Sequence, residues 1–182
     1  GGAELCEPLA AAFKAHTMVP SFNIPYLPMM EPIVRALRDT NTFGLIAVAR
    51  LEWEKFSSGS LRAVYEEYLH RSDGVHTRLH LDHVPVIDED GLEVDYVSII
   101  RAAIKIGFES VMVDGSRLPL EENIAATRTV VDMAHAAGIA VEAELGSVLG
   151  HESGPMPPYE ELFASGKGFT SPEDAGRLVR ET

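Results

Sequence analysis

The stretch RLHLDHVPV, residues 78–86, decides both the fold and the chemistry of this chain. Side chains on a strand alternate between faces, so His80 and Asp82 share one face while Leu79 and Leu81 take the other. On that pattern Asp82 and His83 point apart. Both serve one site only if the strand ends at 83, and Pro85, which cannot continue a central ladder, suits a break there. An apolar run that closes on an acid and a histidine is expected where a strand's carboxyl end opens onto a site.

Working outward, VPSFNI (19–24), FGLIAVA (43–49), HTRLHLD (76–82), ESVMVD (109–114) and IAVEAEL (139–145) read as strands. Helical patterns lie between them at 29–40, 60–71, 95–106 and 120–137, with a leading helix near 4–16 and a trailing one at 172–182 that opens on Ser171-Pro172. Strict β-then-α alternation predicts an α/β fold with a parallel sheet covered by helices. Two architectures satisfy it, an open doubly wound sheet and a (β/α)8 barrel. No glycine-rich dinucleotide fingerprint follows the first strand, whereas acids and histidines gather at the carboxyl ends of strands three, four and five. That favours a parallel (β/α)8 TIM barrel, which needs eight strands and about 250 residues. The chain has 182. It is expected to be a single domain over 1–182 that supplies the first five β/α units. Loops 84–95 and 147–170, rich in Gly, Pro or acids, are the segments where a barrel keeps its function.

Composition narrows the partners. A formal charge of −13 with no run of Lys or Arg gives no electrostatic footprint for nucleic acid or an anionic membrane. No stretch approaches the roughly 20 apolar residues that span a bilayer, and the first residues lack a basic leader region. One cysteine, Cys6, permits no internal disulfide. A cytoplasmic protein with a small-molecule partner is the expectation.

Asp114 stands at the end of strand four, before the Gly115-Ser116 turn, and Glu142 and Glu144 share a face of strand five just before Gly146. Three successive strands thus deliver carboxylates to one end. Converging buried carboxylates repel one another and lose hydration, so a compensating cation is expected. His83 with oxygen donors suits zinc or another first-row divalent ion. The plainer alternatives are that Asp114 supports its turn and that His80 is a satisfied core histidine. The lysines, at 14, 55, 105 and 167, fall in helices or loops, which argues against Schiff-base chemistry.

LHLDHV followed by GFESVMVDGSRLPLEENIAAT, then VVDMAHAAGIAVEAELGSVLGHE and TSPEDAGRLVRET, resembles the class II aldolases that act on fructose or tagatose bisphosphate. The resemblance covers about half of the chain, with SFNI a weaker match to the opening strand. It implies a lyase that reversibly cleaves a phosphorylated ketose to dihydroxyacetone phosphate and an aldehyde, using Zn2+ and a possible second divalent or monovalent cation. By position it implies that His83 binds the metal and that Asp82 exchanges a proton with the aldehyde oxygen. Asp114 and Glu144 are implied near the metal, and Glu152 is the loop acid that moves a proton at the ketone's alpha carbon. Asn23 is implied as a substrate contact, and Ser116 is assigned with it to substrate binding. A sugar phosphate partner and a homodimer or homotetramer are further expectations.

The departures matter too. Where the family has a serine-containing turn after strand two, this chain has Ala49-Arg50-Leu51, and Arg50 reads as a surface arginine. Asp88, Glu89 and Asp90 read as a solvated loop. The later strands that carry further zinc histidines in the family have no counterpart here, so the chain alone is expected to be inactive and to bind zinc weakly. The rival readings are a non-catalytic barrel segment that binds sugar phosphate or a partner chain, and a metal-dependent aldolase acting on a different, unphosphorylated or acidic substrate.

Overall fold

The computed structural model describes residues 2–146, 158–166 and 169–182. Among them, five strands form one parallel sheet: β1 (Ser21–Asn23), β2 (Gly44–Ala49), β3 (Thr77–Pro85), β4 (Ser110–Asp114) and β5 (Ala140–Ala143), in the spatial order β1-β2-β3-β4-β5. That order separates the two architectures. A doubly wound sheet reverses its strand order at a switch point, whereas a barrel adds each strand beside the last. No reversal occurs among the described strands, and the fold is part of a TIM barrel.

Helices α1 (Gly2–Lys14), α2 (Met30–Asp39), α3 (Arg50–Glu54), α4 (Leu61–Arg71), α5 (Tyr96–Ile106), α6 (Leu120–Ala136), α7 (Tyr159–Ser165) and α8 (Pro172–Glu181) complete the described chain, with a 3-10 turn at Leu27–Met29. Their starts follow local chemistry. Ser60 accepts the Ala63 N–H at 3.1 Å, Asp95 the Ser98 N–H at 3.1 Å and Ser171 the Asp174 N–H at 3.3 Å, each satisfying a donor that the first turn leaves free. The short α3 and α7 were not expected, because neither is long enough to show a helical period.

The core is the layer between helices and sheet. Val34, Val64, Tyr68, Ile100, Ala103, Val130 and Ala134 from the helices pack with Ile46, Val48, Leu79, Leu81, Val111 and Val113 from β2, β3 and β4. Each fully buried aliphatic side chain contributes about 1.5–3 kcal/mol. The opposite face of β3 and β4 carries His80, Asp82, Ser110 and Asp114. Polar residues therefore point into the barrel, and the apolar layer holds them there.

The question raised by RLHLDHVPV is answered by the register. Leu81 pairs with Val111 and Val84 with Val113, so β3 uses two residues, Asp82 and His83, against the single Met112 of β4. This is a β-bulge. The strand does not stop at His83, as the alternation had suggested; it continues through Pro85 with its parity reset. Val84 returns to the apolar layer with Leu79 and Leu81. His83 takes a positive φ of 38°, a conformation uncommon outside glycine and strained by about 1–3 kcal/mol.

The loop after β3 is also more ordered than its acids suggested. Asp88 is buried and accepts the N–H groups of Asp90 and Leu92 at 3.0 and 2.9 Å, and Glu89 meets Lys55 at 2.5 Å. Arg50 is no surface arginine either, since it lies between Glu54 at 3.1 Å and Asp88 at 3.7 Å.

At the end of β4, Gly115 lies so close to α6 that an added Cβ would sit 2.3 Å from Oδ1 of Asn123. Asn123 is buried, donates to the Glu144 carbonyl at 2.9 Å and accepts from Thr127 at 3.1 Å. Gly115→Ala should therefore lower stability by about 1–3 kcal/mol, the usual cost of overpacking. Chemical denaturation of the two proteins measures the difference, and an unchanged midpoint would contradict this packing.

Candidate active site

The carboxyl ends of all five strands form one rim. On it, Asp114 ends β4, Glu144 follows β5, and the bulge presents His83 between them. Nδ1 of His83 lies 3.6 Å from Oδ2 of Asp114 and 3.5 Å from Oε2 of Glu144. One donor atom from each of the three falls within 4.8 Å of the others. An imidazole nitrogen with two carboxylate oxygens suits a first-row divalent cation. Glu144 Oε2 is buried without a hydrogen-bond partner, an expense a cation would remove. The side chains present fit a metal ion.

Charge crowding is visible in the proton affinities. The contact with Asp114 outweighs the opposing desolvation and, with the charges of Asp82 and Glu144, pushes the His83 imidazole up to about 9. Burial works against ionised Asp114, yet its contacts with His83 and with the Ser116 turn hold it below the usual carboxylate range. Burial, followed by the negative charge of Asp114, raises Glu144. A proton on His83 thus balances the carboxylates that surround it.

Asp82 faces the other side of the rim. Its Oδ2 accepts from Nδ2 of Asn23 at 2.8 Å, across the intervening β2. The same amide nitrogen lies 3.4 Å from Oε2 of Glu52, which accepts the Ala49 N–H at 2.7 Å. Ala49 has no side-chain acceptor, so only the Glu half of a capping box is present at the start of α3. Burial raises Glu52, against the hydrogen bonds from Ala49 and Asn23 that favour its charged form. Below Asp82, buried His80 bonds Ser110 Oγ through Nδ1 at 2.7 Å. Its Nε2 approaches Glu142 at 3.3 Å and Asp82 at 3.9 Å without aligning for a hydrogen bond. His80 is a core histidine satisfied on one side only.

The model of the family described as fructose-bisphosphate aldolase class-II matches residues 3–182. The chain belongs to this aldolase family. It is 30% identical over 167 residues to a fructose-bisphosphate aldolase of Staphylococcus aureus (strain Mu50), covering 90% of this chain and 52% of that protein. It is 34% identical over 179 residues to a 6-phospho-5-dehydro-2-deoxy-D-gluconate aldolase of Bacillus velezensis, covering 96% and 54%. Among solved structures, the YdjI aldolase of Escherichia coli K12 superposes with a TM-score of 0.68 at 26% identity, over 95% of this chain and 58% of that one. The chain spans about half the length of the aldolases it matches. No helix among the described residues is long and apolar enough to cross a membrane.

Of the residues singled out from the sequence, His83, Asp114 and Glu144 come together, and Asp82 and Asn23 are hydrogen-bonded to each other. Ser116 reaches the rim through its backbone N–H, which donates to Oδ1 of Asp114 at 2.9 Å. Asp114 therefore both supports its turn and faces His83. Glu152 and its neighbour His151 lie outside the described residues. Glu52 was missed. Its signal was faint: an acid three residues after the end of a buried strand, where it can cap the next helix.

The raised His83 sets a direction with pH. In the metal-free protein its contribution to stability is complete below its ordinary 6.5 and is lost as pH rises through about 9. His83→Asn keeps a residue that tolerates the positive φ while removing the charge. The stability gap between the two proteins, measured by thermal unfolding in chelator, should be largest at and just below pH 6.5, shrink through neutrality and close as pH passes about 9. A gap that widens with pH would contradict it.

Proposed function

We propose that this chain is the N-terminal part of a class II aldolase barrel whose intact protein performs metal-dependent, reversible aldol cleavage of a phosphorylated ketose to dihydroxyacetone phosphate and an aldehyde. The observation that carries this reading is the β3 bulge, which puts the metal-binding candidate His83 and the acid Asp82 side by side on one rim. His83, with Asp114 and Glu144 in direct or supporting contact, would hold zinc, which when bound would supply Lewis acidity at the ketose carbonyl. Asp82 takes the proton of the hydroxyl that becomes the aldehyde oxygen during cleavage and returns it during condensation. Asn23 holds that carboxylate and, with the Ser116 turn, lines the substrate's place. Glu152 is assigned the proton at the ketone's alpha carbon. Both amide N–H groups of Asn23 face carboxylates, so its carbonyl oxygen is the atom that remains to meet substrate.

A second reading, a metal-dependent aldolase for a different, unphosphorylated or acidic substrate, is favoured by Ala49 standing where the family has its strand-two serine. The relatives themselves are named for two different substrates. Comparing turnover of fructose 1,6-bisphosphate with that of carboxylated and unphosphorylated ketoses separates the two.

Asp82→Ala in the intact protein should keep the fold and the metal but lower turnover by roughly 100-fold or more, the scale of a lost positioned acid. His83→Ala should instead lose the metal. Metal analysis and steady-state kinetics of both variants check this, and the opposite pattern reverses the two roles. Because His83 carries a proton near neutrality, zinc binding at pH 7.5 should release close to one proton per ion. Calorimetry in buffers of different ionisation heat reads that release directly, and heats independent of buffer would remove His83 from the metal site. Activity should also disappear with chelator and survive borohydride in the presence of substrate; substrate-dependent inactivation by borohydride would point to a Schiff base instead.

A further inference from the structure

We infer that Glu52 is a positioning residue for Asp82, acting through the amide of Asn23. The inference rests on the reading of Asp82 as the proton-transferring acid. Among the described residues, the hydrogen bond from Asn23 at 2.8 Å is the only one the Asp82 carboxylate receives. An asparagine amide is itself ambiguous, because a half-turn exchanges its N–H donors for a carbonyl acceptor. Asp82 alone favours the orientation with the NH2 group toward it, and a second carboxylate on the same nitrogen reinforces that choice. With Asp82 on one side at 2.8 Å and Glu52 on the other at 3.4 Å, only the orientation that turns the NH2 group to both avoids oxygen facing oxygen.

Glu52 is well suited to this part. It sits in the first turn of α3, directly after β2, and so occupies the gap between β1, which carries Asn23, and β3, which carries Asp82. Its Oε2 is pinned by the Ala49 N–H at 2.7 Å, and the residue is buried. Three consecutive strand ends are thereby tied by one bridging amide. A capping role alone would require only the bond to Ala49, which a solvated glutamate makes equally well at the end of an exposed helix. Burial of the carboxylate against a second acid, where its desolvation and like charge both cost energy, is explained by the amide between them.

The test uses the full-length, zinc-loaded protein with Glu52→Ala, Glu52→Gln, Asn23→Ala, Asp82→Ala and the Glu52→Ala/Asn23→Ala double variant. Glu52→Ala should lower kcat for fructose 1,6-bisphosphate cleavage by about 10-fold, a partial loss of what a positioned acid provides, with KM changed by less than about 3-fold. Gln at position 52 keeps an acceptor for both Ala49 and Asn23 and should restore most of the rate. In the Asn23→Ala background, Glu52→Ala should cost less than about 2-fold more, because the two act as one unit. A crystal structure of Glu52→Ala should show the Asn23–Asp82 contact broken or the amide reversed. If the Ala variant does not fold, Glu52→Asp, one methylene short of the bridge, replaces it with the same expectations. Unchanged kcat with the 2.8 Å contact intact, or full additivity in the double variant, overturns the inference. Normal turnover in Asp82→Ala overturns the reading beneath it, so the two failures are distinguishable.

Discussion

Everything at the rim depends on one extra residue in β3. In a regular strand His80 and Asp82 would point into the barrel and His83 would be driven into the apolar layer against the helices, where an ionised imidazole is costly. The bulge absorbs that step. It lets Asp82 and His83 face one space, returns Val84 to the core beside Leu81, and accepts a strained φ at His83 as the cost. Packing on the far side makes the arrangement durable, because sliding β3 by one residue would bury His80 and Asp82 and expose three aliphatic side chains.

Around that step the site separates into two halves with different electrostatics. On one side the His83 imidazole, its proton affinity raised, lies between the carboxylates of Asp114 and Glu144. On the other side Asp82 and Glu52 are kept apart by a neutral amide. A cation site and an acid site placed a few ångströms apart need such separate compensation, since a shared cation would draw both sets of carboxylates to itself. On the proposed reading, Asn23 keeps Asp82 apart from the three side chains that would hold the metal.

The fold was legible because each strand and each long helix shows its period. FGLIAVA is apolar on both faces, VPSFNI and ESVMVD each keep one apolar face for the helices to cover, and Ser60, Asp95 and Ser171 mark where helices begin. The site was legible where one residue type at one strand end carried the signal, as with Asp82, His83 and Asp114. It was illegible where position depends on register. Strict alternation sets Asp82 against His83, and nothing in LHLDHVPV announces that the ladder will slip rather than stop. Arg50 and Asp88 looked solvent-facing for a related reason: each lies in a connection whose burial is decided by another connection, so neither has a local pattern. Glu52 belongs to the same class, being meaningful only once Asn23 and Asp82 are in place on either side.

The uninterrupted strand order has a consequence for how the chain reaches this structure. Each strand pairs with the one made just before it, as in Ser21 with Leu45, His80 with Ser110 and Ser110 with Ala140, so the ladder partners are separated by roughly thirty residues throughout. Loop-closure entropy grows only slowly with length, and among the five described strands each pairing forms with the next strand in the chain. A nascent chain leaving the ribosome at about 5–20 residues per second can therefore dock one β/α unit every few seconds, each on a template already formed. The bulge arrives with the third unit, and the residues that use it, Asp114 and Glu144, arrive with the fourth and fifth. Assembly of the polar rim follows the order of translation, with the strained segment laid down before the charged groups that exploit it.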